Sequence, residues 1–102
     1  MLFLQTSRHP PESCAFTNEK AKKATLDAGM KLNELLTKYG IKLVGAWVSL
    51  SEHLTVAVYD APNMEALWKL SMEPAVMNLE TYNVSDIRPV LTIEETMKLL
   101  MK

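Results

Sequence analysis

A small α+β fold on one four-stranded antiparallel sheet is what three features of this 102-residue sequence predict. Residues 41–59 read as two strands folded back on each other, because Val, Leu, Trp and Tyr dominate and turn formers appear only near Ser49, Ser51 and Glu52. Residues 19–39 repeat apolar side chains every three or four positions between a capping Thr17 or Asn18 and a closing Gly40, the pattern of an amphipathic helix. Proline, asparagine and threonine then cut the remainder into short elements. The resulting order is strand, helix, strand, strand, helix, strand and a terminal helix, which in one compact domain over 1–102 is the ferredoxin-like βαββαβ arrangement with a C-terminal helix. Right-handed crossovers place strands one and three in the centre and strands two and four at the edges.

Met1 to Ser7 reads as the first strand, with Leu2 and Leu4 alternating against Phe3 and Gln5. His9, Pro10 and Pro11 stop it, and the prolines make His9 to Cys14 a stiff loop. In the long helix the inward stripe of Ala21, Ala24, Thr25, Ala28, Leu32, Leu35, Leu36 and Tyr39 starts small and ends large. Ala24, Ala28 and Gly29 should let the middle of the helix lie close to the sheet. A two-residue turn at Ser51 and Glu52 puts Leu43, Gly45, Trp47, Leu54, Val56 and Val58 on one sheet face and Val44, Ala46, Val48, Leu50, Thr55, Ala57 and Tyr59 on the other. Both faces are largely apolar, so the second face needs a cover, and for so short a chain that cover is a second copy. Asn63 caps a shorter helix to about Met72, with Met64, Leu67, Trp68 and Ser71 inward, and Pro74 ends it. Leu79 to Val84 reads as the fourth strand, extended irregularly to Leu91, with Pro89 marking an edge. Thr92 and Glu95 form a capping box before a last helix with Ile93, Met97, Leu100 and Met101 on one side.

Composition removes several classes of function. Apolar residues make up 48% and charged residues 23%, with a formal net charge of only -1, as in ordinary globular proteins. Lys20, Lys22, Lys23, Lys31 and Lys38 are interleaved with Glu19, Asp27 and Glu34, which reads as a solvated helix face rather than a nucleic-acid interface. One cysteine, Cys14, makes no intrachain disulfide, and no stretch approaches the ~20 apolar residues of a membrane span. These features predict a soluble, cytoplasmic protein bound neither to nucleic acid nor to membrane. Three glycines hold no phosphate loop, so no nucleotide cofactor is expected. The seven methionines fall at helical spacing, which reads as core filling.

His9, Glu12, Cys14 and His53 carry the chemistry. Imidazole, carboxylate and thiolate are ligands for a transition metal and equally the parts of an acid–base or nucleophilic site. The predicted topology gathers them at one end, because the loop after the first strand and the hairpin tip share that end of the sheet. His9, Cys14 and His53 are accordingly the candidate metal ligands. Trp47, Tyr59 and Tyr82 are further candidates to line a ligand cavity, the tyrosines from strands. Two classes of function fit: an enzyme on a small organic substrate, needing a closed pocket with a titratable group, and a non-catalytic small-molecule or metal-binding module with the same cavity.

The element order, the apolar second face and the ending Arg88-Pro89-Val90-Leu91-Thr92-Ile93-Glu94-Glu95 together resemble the dimeric α+β barrel superfamily. More narrowly, the chain is similar to small prokaryotic members with a His-x-Pro-Glu-x-Cys loop after the first strand and Glu-His at the hairpin, here His9, Pro11, Glu12 and Cys14, then Glu52 and His53. The resemblance implies a homodimer with a cavity between sheet and helices. That superfamily includes cofactor-independent monooxygenases, muconolactone isomerases, haem-degrading enzymes and stress-responsive barrels, so a monooxygenase or isomerase acting on a small organic substrate is the alternative it adds.

Overall fold

The computed structural model describes residues 1–102. Four strands, β1 (Leu2–Arg8), β2 (Lys42–Ser49), β3 (Leu54–Asp60) and β4 (Val84–Val90), form one sheet in the order β2-β3-β1-β4, every neighbouring pair antiparallel. Four helices complete it: α1 (Glu19–Lys38), α2 (Met64–Ser71), α3 (Pro74–Glu80) and α4 (Ile93–Leu100). This is the ferredoxin-like arrangement, with β1 and β3 central as the crossover rule requires.

The caps explain the boundaries. Asn18 accepts from the Ala21 amide at the start of α1, and Asn63 does the same for Ala66 in α2. Thr92 and Glu95 exchange both bonds of a capping box at α4. At the far end of α1, Gly40 takes a left-handed φ of 66°, which lets the Ile41 amide reach Leu36 O and the Gly40 amide reach Thr37 O. That is a Schellman closure, and its accompanying apolar contact comes from Ile41 and Leu36, both in the core.

Several local expectations change. Pro74 does not merely stop α2; it begins α3 at a first-turn position where its missing N–H costs nothing. Residues 74–80 are therefore helical, Tyr82 sits in the turn after α3 rather than on a strand, and β4 starts only at Val84. The hairpin loop holds four residues, Leu50 to His53, with Ser49 paired to Leu54 and His53 at a φ of 51°. A bulge between Leu43 and Gly45 shifts the β2 register, so Leu43 pairs with Tyr59 and joins the helix-covered face instead of the face of Trp47. Trp68 is 62% exposed, and Ala66, Leu67 and Leu70 form the buried side of α2 in its place. Met30, Met72, Met77, Met97 and Met101 are likewise exposed rather than core.

The core lies at one end of the domain. Phe3 from the middle of the sheet meets Leu35, Leu36 and Ile41 from the end of α1, and Leu67 and Leu70 from α2. Phe3 and Leu67 are fully buried, each contributing about 1.5–3 kcal/mol by area. Lys38 and Tyr39 both hydrogen-bond the Glu73 carboxylate, pinning the α2–α3 junction to the end of α1. Those bonds hold the Glu73 carboxyl below its ordinary range and raise the Lys38 ammonium above its own. By contrast, α4 buries none of its residues, and Ile93 and Leu100 stand 74% and 73% exposed. No helix is long and apolar enough to cross a membrane.

Candidate functional site

The change from small to large residues along α1 decides where space is left. Its large end closes the core, while Ala21, Ala28 and Gly29, from its start to its middle, face Ala46 and Ala57 of the sheet across a cavity of about 690 Å³. Small side chains on both walls therefore leave room for a ligand instead of drawing helix and sheet together; α1 packs chiefly on α3 and only lightly on β2. Eighteen of the 30 lining residues are hydrophobic. A cavity of this size and lining suits a small, mainly apolar molecule with a few polar groups. Gly29 sits in α1 with open space where a Cβ would be. Gly29→Ala is thus expected to raise stability by about 0.5–1 kcal/mol through helix propensity, read from the urea midpoint at unchanged m-value.

At the end of the cavity nearest the hairpin tip, the sheet register brings two histidines together. The β1–β3 pairing that sets Arg8 against Leu54 continues one residue further, where the His9 amide donates to His53 O at 3.3 Å. Their rings meet edge to face at 5.0 Å, with His53 Nδ1 and His9 Nε2 3.2 Å apart. One nitrogen must donate and the other accept, so the pair shares a single proton along that line.

Cys14 arrives from the loop after β1. Pro11 to Ser13 form a 3-10 turn, and the amides of Thr17 and Asn18 both close on Cys14 O at 3.0 and 2.7 Å. Asn18 also ties its side-chain amide to Glu12 O. Cys14 Sγ and one nitrogen of each histidine all lie within 4.8 Å of one another, each residue half-buried and each lining the cavity. The left-handed backbone of His53, uncommon for a residue with a Cβ, is the strained point of the set.

Tyr59 and Tyr82 also line this cavity, Tyr59 from β3 and Tyr82 from the turn after α3. Burial, and then the nearby Glu80 carboxylate, push the Tyr59 phenol above its ordinary value, so it is a neutral donor at physiological pH. Glu80 accepts from Ser85 at 2.6 Å, and Ser85 meets Ser7 at 2.8 Å, which adds a second polar patch on the same wall. Glu80 escaped the sequence reading because its segment read as a strand. The signal was present in Pro74 followed by Val76 and Leu79 at helical spacing, which turns Glu80 inward from α3.

Two candidates fall outside. The Glu12 side chain is exposed and lines no part of the cavity, leaving only its carbonyl to brace Asn18. Trp47 pairs with Val56 on the opposite sheet face, 61% exposed, its indole lying across Gly45, where a Cβ would come within 2.6 Å of the ring.

Residues 1–102 match the family described as Domain of unknown function (DUF3303). No curated protein sequence matches the chain. Among solved structures, the fold is similar to that of muconolactone isomerase, at TM-score 0.61 and 19% identity over 90% of both chains. It is also similar to a putative antibiotic biosynthesis monooxygenase from Caulobacter crescentus CB15, at TM-score 0.56 and 11% identity over 89% of this chain and 90% of that one. An uncharacterized NIPSNAP domain protein from Burkholderia xenovorans gives TM-score 0.53 and 14% identity over 91% and 97%. At these identities the likeness shows the fold alone, the ferredoxin-like α+β arrangement of one four-stranded antiparallel sheet under helices.

Proposed function

The chain belongs to the DUF3303 family, and we propose that it binds a small, mainly apolar organic molecule in the cavity between α1 and the sheet, with the molecule's polar group at the His9, Cys14 and His53 end. The observation that carries this reading is the coincidence of a cavity of about 690 Å³ with that cluster at one end. Phe16 and Leu50, 80% and 63% exposed at the cavity's rim, supply apolar surface for a bound molecule to cover.

A second reading, an isomerase or cofactor-independent monooxygenase acting on that molecule, draws on one contact. His53 Nδ1 and His9 Nε2 offer a donor and an acceptor 3.2 Å apart, the pairing a proton transfer between two carbon positions requires. The fold's likeness to muconolactone isomerase is compatible with such a transfer.

The working unit in this proposal is a homodimer joined through the uncovered sheet face. Leu4, Trp47, Val56 and Val58 form an apolar centre there, and Asp86 with Arg88 on β4 give it a charged margin of both signs. An apolar centre with a polar rim is the anatomy of a protein interface, and a margin of both signs complements a two-fold copy of itself.

The test fills the cavity. The native protein is expected to take up the apolar dye 8-anilinonaphthalene-1-sulfonate, and Gly29→Phe, which projects a ring from α1 into the open space, is expected to abolish that binding. Native mass spectrometry of the purified protein should find a retained small molecule that the variant lacks. Equal dye binding by both proteins sinks the cavity reading.

A further inference from the structure

We propose that His9 Nε2, His53 Nδ1 and Cys14 Sγ hold one zinc-class divalent cation, with its fourth coordination position open to the cavity. The inference deepens the small-molecule reading and rests on it only for the use of that fourth position.

The geometry comes first. Two imidazole nitrogens on a tetrahedral zinc stand about 3.3 Å apart, and a nitrogen and a thiolate sulfur about 3.6 Å apart, given Zn–N near 2.0–2.1 Å and Zn–S near 2.3 Å. His53 Nδ1 and His9 Nε2 are already at 3.2 Å. Cys14 Sγ and one nitrogen of each ring fall within 4.8 Å of one another, so the thiol needs an approach of about 1 Å, within reach of a rotation about the Cα–Cβ bond of Cys14. The proton now shared between the imidazoles gives way to the ion: each ring keeps its one proton on the other nitrogen, Nδ1 of His9 and Nε2 of His53. The Cys14 thiol releases its proton as the metal–sulfur bond forms.

The donor set selects the ion. Two imidazoles and a thiolate suit zinc or copper and not the oxygen-seeking magnesium or calcium, since the carboxylates beside the set, Glu12 and Glu52, are exposed and Glu80 is engaged by Ser85. A His₂Cys copper centre of the electron-transfer kind adds a weak axial methionine, and no methionine lines this cavity. Three protein ligands with one exchangeable position is the pattern of zinc sites that bind or polarise a substrate oxygen. All three ligands line the cavity, so that position faces the bound molecule, whose polar end would be a carboxylate, carbonyl or hydroxyl oxygen.

The loop is built to hold such a set. Cys14 is fixed by the 3-10 turn and by two amides on its carbonyl, and His9 and His53 by their own ladder bond. Little ordering is left to do when the ion arrives.

The experiment titrates the chelator-stripped full chain with Co²⁺ as a spectroscopic stand-in. One equivalent per chain is expected, with tetrahedral ligand-field bands in the visible and a thiolate-to-cobalt charge-transfer band in the near ultraviolet, both displaced by Zn²⁺. Cys14→Ser should erase the charge-transfer band, and His53→Gly should weaken cobalt affinity at least tenfold. Glycine also suits the left-handed backbone at 53, so His53→Gly keeps its fold, and far-ultraviolet circular dichroism checks this. An octahedral spectrum without a thiolate band, or unchanged affinity in folded His53→Gly, overturns the metal site. The two ideas fail separately. Cobalt failing while the dye still binds and Gly29→Phe still blocks it removes the metal and leaves the cavity; cobalt binding as expected with no dye uptake leaves the metal and removes the cavity.

Discussion

Phe3→Ala is expected to lower the stability of the domain by about 3–5 kcal/mol, among the largest effects a single truncation can have here. Phe3 is 1% exposed, sits on central strand β1 opposite Tyr59, and touches the side chains that close the end of α1 and the inner side of α2. No neighbour can collapse into the void without giving up its own packing, so the cost includes both lost transfer energy and a residual cavity. Domains of this size are stable by about 5–15 kcal/mol, and the loss should lower the melting midpoint by roughly 15–30 °C. The control is the same residue type elsewhere: Phe16, 80% exposed, should cost within about 0.5 kcal/mol on changing to Ala. Urea unfolding at one fixed protein concentration compares them, and a Phe3→Ala loss under about 1 kcal/mol would show that the core has been placed wrongly.

How much of this was legible in the sequence follows from which signals are local. The caps at Asn63 and Thr92 and the left-handed Gly40 are written within four residues of the bonds they make and appear where the sequence puts them, while of the two caps it offers for α1, Thr17 and Asn18, the structure uses Asn18. The strand order followed from element order and handedness alone. The misread places are those where a signal has two meanings. Pro74 can stop one helix or start the next, and the single helical interval from Val76 to Leu79 is too short a run to outweigh the strand pattern that begins at Leu79. A bulge at Leu43/Gly45 leaves no mark on a run of apolar residues, yet it moves Leu43 to the other face. Trp68, exposed in the structure, fits an inward stripe by spacing because an apolar stripe on a two-turn helix is nearly as wide as the helix itself.

The site was legible for a related reason. Placing His9 and His53 needed only the β1–β3 register, which the fold supplies without side-chain detail. Cys14 came with them because a loop between β1 and α1 must pass that end of the sheet. The cavity was harder, because small residues such as Ala28 and Gly29 permit either close approach or open space. Which one holds depends on α3 propping α1 away from the sheet, and α3 is the helix the sequence concealed.

Val56→Asp is expected to dissociate the proposed homodimer while leaving the protomer folded. Val56 lies on central strand β3 between Trp47 and Thr6, on the face no helix covers, and is only half-buried in the single chain. Within the protomer the change is confined to a partly wet surface, where strand substitutions span about 1 kcal/mol. Inside a sheet-on-sheet interface of ordinary size, about 1,600 Å², the same carboxylate loses its water with no partner. An unpaired buried charge in an interface costs about 2–5 kcal/mol, or at least roughly 30-fold in dissociation constant. Two-fold symmetry places one such charge on each copy, so the penalty enters twice. Sedimentation equilibrium at micromolar concentration should then find the native protein at dimer mass and Val56→Asp at monomer mass, both with native circular dichroism. Ser51→Asp, at the exposed hairpin tip and away from that face, should stay dimeric. A native protein at monomer mass, or a Val56→Asp dimer as tight as the native one, would mean that the apolar face is covered by something other than a second copy of itself.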